Sequence, residues 1–96
     1  MRNALAAAIG VASIAAAVVA SAEPPAGAAA CSGCHPASSR VTSPVPRLAG
    51  LDRAAIVRVM QDFRSGKRAA TVMDRIAKGF TDEEIQAIAA WYATQR

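Results

Sequence analysis

Metal-binding side chains and aromatic side chains are both scarce in this chain of 96 residues. It has one histidine, two cysteines, one tryptophan, one tyrosine and two phenylalanines. A tetrahedral zinc site needs four ligands, and one histidine with two cysteines supplies only three. The net charge of +4 is basic, but no aromatic residues are interleaved with the basic ones, so nothing beyond charge supports nucleic-acid binding. Because the chain has so few aromatic residues, we predict a small core whose stability depends on a covalent link or a cofactor.

Residues 1–22 have the composition of a secretory signal peptide. Arg2 gives the start a positive charge, an uncharged alanine-rich stretch follows, and Ala20 and Ala22 form a small-x-small exit. We therefore predict cleavage after Ala22, leaving residues 23–96 as one periplasmic domain that does not associate with a membrane. A membrane anchor is an alternative, although alanine drives insertion weakly. A lipoprotein is another, although no leucine lies three places before the first cysteine.

The stretch "CSGCHP" holds both cysteines and the histidine, as Cys31, Cys34 and His35. C-x-x-C-H is the pattern of c-type haem attachment, in which two cysteines one helical turn apart bind the porphyrin and the histidine ligates the iron. A dithiol switch of the thioredoxin type needs a βαβ pattern, which the sequence lacks. A single haem is therefore the preferred interpretation, with a dithiol or metal-binding protein as the alternative class.

A second iron ligand is expected from a methionine, because no further histidine is present. Met60 shares an apolar helical stripe with Ile56 and Phe63, which indicates core packing. Met73 lies in a less regular stretch between two predicted helices. Periodicity alone leaves Met73 open between iron ligand and core residue.

The local patterns predict helices and no strands, since no stretch alternates polar and apolar residues. A short helix is expected to start at Glu23 and the prolines that follow it and to end near the cysteine motif, where a proline-rich loop begins. A second helix is expected from the N-cap Asp52 to the C-cap Gly66. The pattern of residues 68–79 is ambiguous. We predict a loop that passes through Met73 and then a helical turn that ends at Gly79. The last helix begins with a capping box, "TDEE", and buries one apolar face.

The order C-x-x-C-H, then P-x-L-x-G, then a methionine, then a C-terminal aromatic helix resembles class I cytochrome c over most of residues 23–96. The resemblance implies an all-α fold of three to four short helices around one covalently bound haem c. It also implies that the carbonyl of Pro46 contacts the haem histidine and that Leu48 packs on the haem.

The stretch "VMQDFRSGKRAATVMDRIAKGFTDEEIQAIAAWYA" is similar to the cytochrome subunit of flavocytochrome c sulfide dehydrogenase. This resemblance implies that Met73 is the second iron ligand, so that His35 and Met73 complete the iron coordination. It implies an electron-transfer subunit, not catalytic by itself, that accepts electrons from an FAD flavoprotein oxidising sulfide and passes them to a soluble acceptor. Many members carry two haem domains, whereas one C-x-x-C-H is present here, so a free-standing periplasmic carrier serving an oxidase or reductase is the alternative.

Basic residues are concentrated in one part of the chain. Nine of them lie between Arg40 and Lys78, the region expected to surround the haem. Such a basic rim favours docking to an acidic partner surface. Arg47 and Arg75 are alternatively expected to neutralise haem carboxylates.

Overall fold

The computed structural model describes residues 10–15 and 23–96. The predicted cleavage site and most of the predicted signal peptide lie outside these residues. The described part contains four helices and no strand: α1 (Ala28–Cys31), α2 (Arg53–Ser65), α3 (Met73–Ala77) and α4 (Asp82–Thr94). Within it, no helix is both long enough and apolar enough to cross a bilayer. The predicted all-α class is confirmed.

Helix α2 begins and ends where its capping residues predict. The Asp52 carboxylate accepts a hydrogen bond from the Ala55 amide at 3.0 Å, which satisfies one of the free amides of the first turn. At the other end, Gly66 adopts the left-handed conformation, with φ of 79°, as C-terminal glycines commonly do. Both predicted boundaries are confirmed.

Helix α4 opens with the predicted capping box. The Thr81 hydroxyl accepts from the Glu84 amide at 3.2 Å, and the Glu84 carboxylate accepts from the Thr81 amide at 3.0 Å. Acidic residues fill the first turn, where the helix dipole stabilises negative charge.

Helix α1 is shorter than predicted. Only Ala28–Cys31 is helical, and Gly27 immediately before it has φ of 86°. A left-handed residue cannot continue an α-helix, so Gly27 separates α1 from the prolines that precede it. Beyond Cys31, the chain continues as hydrogen-bonded turns, with the Gly33 amide donating to Ala30 and the His35 amide to Cys31.

The prediction of a loop through Met73 was wrong by one residue. Met73 is the first residue of α3, and the preceding exposed stretch forms the loop. The Ile76 amide donates to the Val72 carbonyl at 3.1 Å, and Gly79 follows the helix as predicted. An element this short depends on packing for its stability, which sequence periodicity over one turn does not reveal.

The core lies where α1 and α2 pack with α4. The side chains of this buried cluster are aliphatic apart from one tyrosine: Ala28, Ile56, Val57, Ile85, Ile88, Ala89 and Tyr92. Tyr92 is 6% exposed, and its hydroxyl donates to the Ala28 carbonyl at 2.5 Å, which links α4 to α1.

Tyr92→Phe is expected to lower the free energy of unfolding by about 1–3 kcal/mol, because it leaves the buried Ala28 carbonyl without this hydroxyl donor. Chemical denaturation of both proteins measures the difference. Thr94→Ala is the matched control, since it removes an exposed hydroxyl bond to the Trp91 carbonyl on the same helix. An equal effect of the two substitutions would contradict the expectation.

The same variant isolates the ionisation of the buried tyrosine. Burial raises the pKa of Tyr92 above its usual value, because the phenolate loses hydration in the core. The folded chain therefore keeps a proton that the unfolded chain releases above about pH 10, so stability falls as pH rises through that range. We expect the wild type to lose more stability than Tyr92→Phe in this range. Equal losses of stability in the two proteins would show that ionisation of the Tyr92 hydroxyl does not contribute to the pH dependence.

Candidate functional site

The His35 ring is oriented by the loop that follows it. Its Nδ1 lies 2.6 Å from the Pro46 carbonyl oxygen, across eleven positions of sequence. A carbonyl only accepts, so Nδ1 carries the proton of the neutral ring and Nε2 presents a lone pair. The contact thus fixes both the tautomer and the direction of a ligand nitrogen, as carbonyl partners do for metal-binding histidines.

Cys31 is the last residue of α1, and Cys34 lies on the turn between α1 and His35. The amides of Cys34 and His35 both donate to the Cys31 carbonyl, at 3.2 and 2.9 Å. Cys31 is half-buried against the core, Cys34 is exposed, and both are free thiols. Burial raises the pKa of the Cys31 thiol. The turn places the thiols three positions apart and next to the histidine, as attachment to one cofactor requires.

Three further hydrogen bonds hold the loop that carries Pro46. Arg47 Nε donates to the Ala37 carbonyl at 2.8 Å, and the Gly50 amide donates to Tyr92 at 3.0 Å. The Leu51 amide closes a turn on the Leu48 carbonyl at 3.1 Å. These bonds attach the loop to itself and to α4, so the Pro46 carbonyl has a fixed position.

Neutralisation of haem carboxylates by Arg47 or Arg75 stays a prediction.

The two methionines of residues 23–96 occupy different environments. Met60 packs against the core cluster, in agreement with its predicted role. Met73 is half-buried at the start of α3 and is not among the described side chains that pack on that cluster. This difference favours Met73 as the methionine whose sulfur is available to bind a metal ion.

Five of the six predicted site residues are brought together by the motif turn and the following loop: Cys31, Cys34, His35, Pro46 and Leu48. Leu48 packs against the core and, with His35 and Trp91, lines a cavity of about 260 Å³. Neither cysteine and neither methionine lines this cavity, so it is not the space that the six residues define. The sixth residue, Met73, stands on another element, α3.

The donor set fits a haem of the c type. It combines two unpaired thiols on one turn, a histidine with a free Nε2 lone pair and a thioether on another helix. Several large apolar side chains are also exposed, including Val41 at 56% and Val72 at 50%, and a cofactor with large apolar faces has such surface to cover. Among the described residues, no group of three or more His, Cys, Asp or Glu side chains is arranged to hold a metal ion by itself.

Three contacts around the site were not anticipated from the sequence. They are the hydroxyl bond of Tyr92 to α1, the packing of Phe80 against Gly27, and the bonds of Arg64 to the residues before and within α4. Arg64 was expected only as part of a basic rim. All three join residues far apart in the sequence, where local patterns carry no signal.

Comparison with known proteins identifies cytochromes as relatives. The chain is 40% identical to the cytochrome subunit of sulfide dehydrogenase from Chlorobaculum tepidum over 62 residues, which are 65% of this chain and 56% of that protein. It is 42% identical to the thiosulfate dehydrogenase electron acceptor of Stutzerimonas stutzeri, over 66% of this chain and 30% of that protein. It is 33% identical to cytochrome c4 of Pseudomonas aeruginosa, over 72% and 35% respectively. No protein-family model matches the chain.

The chain thus matches between 30% and 56% of the length of these three relatives. Three observations indicate the same family. They are the alignments with named cytochromes, the four helices and the oriented histidine of C-x-x-C-H. The chain is a homologue of cytochrome c family proteins and has the helical architecture of a small class I cytochrome c.

Proposed function

We propose that this chain is a periplasmic one-electron carrier that holds one haem c, attached through Cys31 and Cys34 and ligated by His35 and Met73. The observation that carries the proposal is the bond between His35 Nδ1 and the Pro46 carbonyl, which leaves Nε2 free on a fixed ring. When bound, the haem supplies a one-electron redox couple.

The residues of the chain hold the cofactor and set its properties. Two thioether links retain it in a domain too small to enclose it by packing alone. The Pro46 carbonyl would make His35 a stronger ligand, and ligation by Met73 would raise the reduction potential. Ligation of the iron by both His35 and Met73 would leave no open position for a substrate, which supports electron transfer over catalysis at the iron.

For the electron donor, we propose an FAD flavoprotein that oxidises sulfide. The support is the relative named as the cytochrome subunit of sulfide dehydrogenase, together with the similarity of residues 59–80 to that family. The relative named as a thiosulfate dehydrogenase electron acceptor favours a second candidate, a free periplasmic carrier that serves another dehydrogenase. In the first case the electron leaves to a soluble acceptor, and in the second it leaves to an oxidase or reductase.

The exposed basic residues supply the docking chemistry. Arg75 lies in α3 and Lys78 directly follows it, and both are exposed. Arg58 in α2 and Lys67 after α2 are exposed as well. A surface of this sign attracts an acidic partner at a distance comparable to the Debye length and accelerates encounter.

The proposal is tested by mixing the oxidised, haem-loaded protein with a sulfide-oxidising flavoprotein and sulfide and following haem reduction. We expect reduction whose rate falls as salt rises, and Lys78→Gln to be slowed severalfold at low salt. Arg96→Gln is the matched control, because it removes one positive charge outside the basic stretch. Reduction only by a thiosulfate-oxidising enzyme would favour the second candidate. Reduction by neither would contradict both.

A further inference from the structure

Arg64, near the end of α2, makes two hydrogen bonds to the junction between α3 and α4. Its Nη1 donates to the Asp82 carboxylate at 2.6 Å and its Nη2 to the Phe80 carbonyl at 3.0 Å. The side chain is 30% exposed, and its Nε is buried. It forms the one ion pair within 4 Å in the described part of the chain.

The two acceptors lie on either side of Thr81, the N-cap of α4. They therefore fix the end of the segment that begins with Met73. Within that segment, Ala77 is fully buried and the Phe80 amide donates to its carbonyl at 3.4 Å. Because α3 has only five residues, its position depends on how this end is held.

The junction also contacts the cysteine-bearing side of the site. A Cβ atom placed on Gly27 would lie 2.5 Å from Phe80 Cε1, so the ring packs directly on the backbone that starts α1. Helix α1 ends at Cys31. Arg64 thus holds Phe80, which packs on the residue before α1 and follows Met73 by seven positions.

We propose that Arg64 is a positioning residue for Met73: by fixing the α3–α4 junction, it holds the thioether where it ligates the iron. The inference rests on the proposed ligation by His35 and Met73. The guanidinium suits this role because one planar group donates to two acceptors at once, whereas the ammonium of lysine acts as a single point charge.

The inference is tested on the full, oxidised, haem-loaded protein by titration with guanidinium chloride. The Met–iron charge-transfer band reports ligation, and far-ultraviolet circular dichroism reports global unfolding. In Arg64→Gln, the equilibrium constant for methionine ligation is expected to fall roughly tenfold or more, as for loss of charge-assisted hydrogen bonds. The band should then disappear at lower denaturant than the helical signal.

Arg58→Gln is the matched control, an exposed arginine on the same helix whose loss should leave the two curves coincident. Arg64→Lys keeps the charge near Asp82 and should fall between wild type and Arg64→Gln. It also serves as the test variant if Arg64→Gln does not fold.

A parallel shift of both curves in the Arg64 variants would overturn the inference, because it would show a purely structural role. A wild-type protein without the band would instead contradict the proposed ligation by Met73. The two failures are therefore distinguishable.

Discussion

Met73→Ala is expected to abolish the Met–iron charge-transfer band completely while covalently attached haem remains. In the proposed ligation the Met73 thioether would bind the iron, and alanine offers no atom in its place. The proposed covalent links would depend on Cys31 and Cys34, which the substitution leaves untouched. The reduction potential should also fall, because methionine ligation raises it. Absorption spectra of the oxidised protein and a redox titration measure the two effects.

Met60→Leu is the matched control. Met60 packs against the core, and leucine has a similar volume, so the band should persist and stability should change by less than about 1.5 kcal/mol. Loss of the band in Met60→Leu together with its retention in Met73→Ala would reverse the assignment. Retention of the band in both variants would contradict the assignment to Met73, because it would show that neither methionine is individually required.

Gly27→Ala is expected to lower the free energy of unfolding by about 2–4 kcal/mol. Part of this cost is the left-handed backbone, with φ of 86°, which costs an alanine about 1 kcal/mol. The rest is steric, because the new Cβ would lie 2.5 Å from Phe80 Cε1, and overpacking typically costs about 1–3 kcal/mol. Chemical denaturation of the haem-loaded proteins gives the value.

Gly66→Ala separates the two contributions. Gly66 has φ of 79°, but no atom lies within 4 Å of a Cβ built on it, so this variant should show the backbone cost alone. Equal losses in the two variants would mean that the Phe80 ring moves aside without cost. A Gly27→Ala protein as stable as wild type would contradict the close packing of α1 on the α3–α4 junction.

Local chemistry explains which helices the sequence predicts well. Asp52 and Thr81 each bond amides within three positions, and the apolar spacing of α4 reports the face that becomes buried. Helix α1 was predicted too long because its start depends on the left-handed Gly27, which avoids a Cβ contact with Phe80, 53 positions away in sequence. Such a contact has no local signature.

The residues of the site also divide into those that a local motif predicts and those whose role depends on contacts distant in sequence. The motif alone identifies Cys31, Cys34 and His35, while the role of Pro46 came from the resemblance to class I cytochrome c. The structure supports that role by bringing the Pro46 carbonyl to Nδ1 of the histidine. The support of Met73 by Arg64 was not predicted, because an arginine at the end of a helix usually has no fixed partner.

Mass spectrometry of the wild-type protein, produced with the c-type maturation machinery and digested with trypsin, tests the central proposal most directly. We predict that the peptide containing Cys31 and Cys34 carries the added mass of one haem and has no alkylatable thiol. The same peptide without haem, with its two cysteines reduced or joined in a disulfide, would contradict the assignment of a covalently bound haem c.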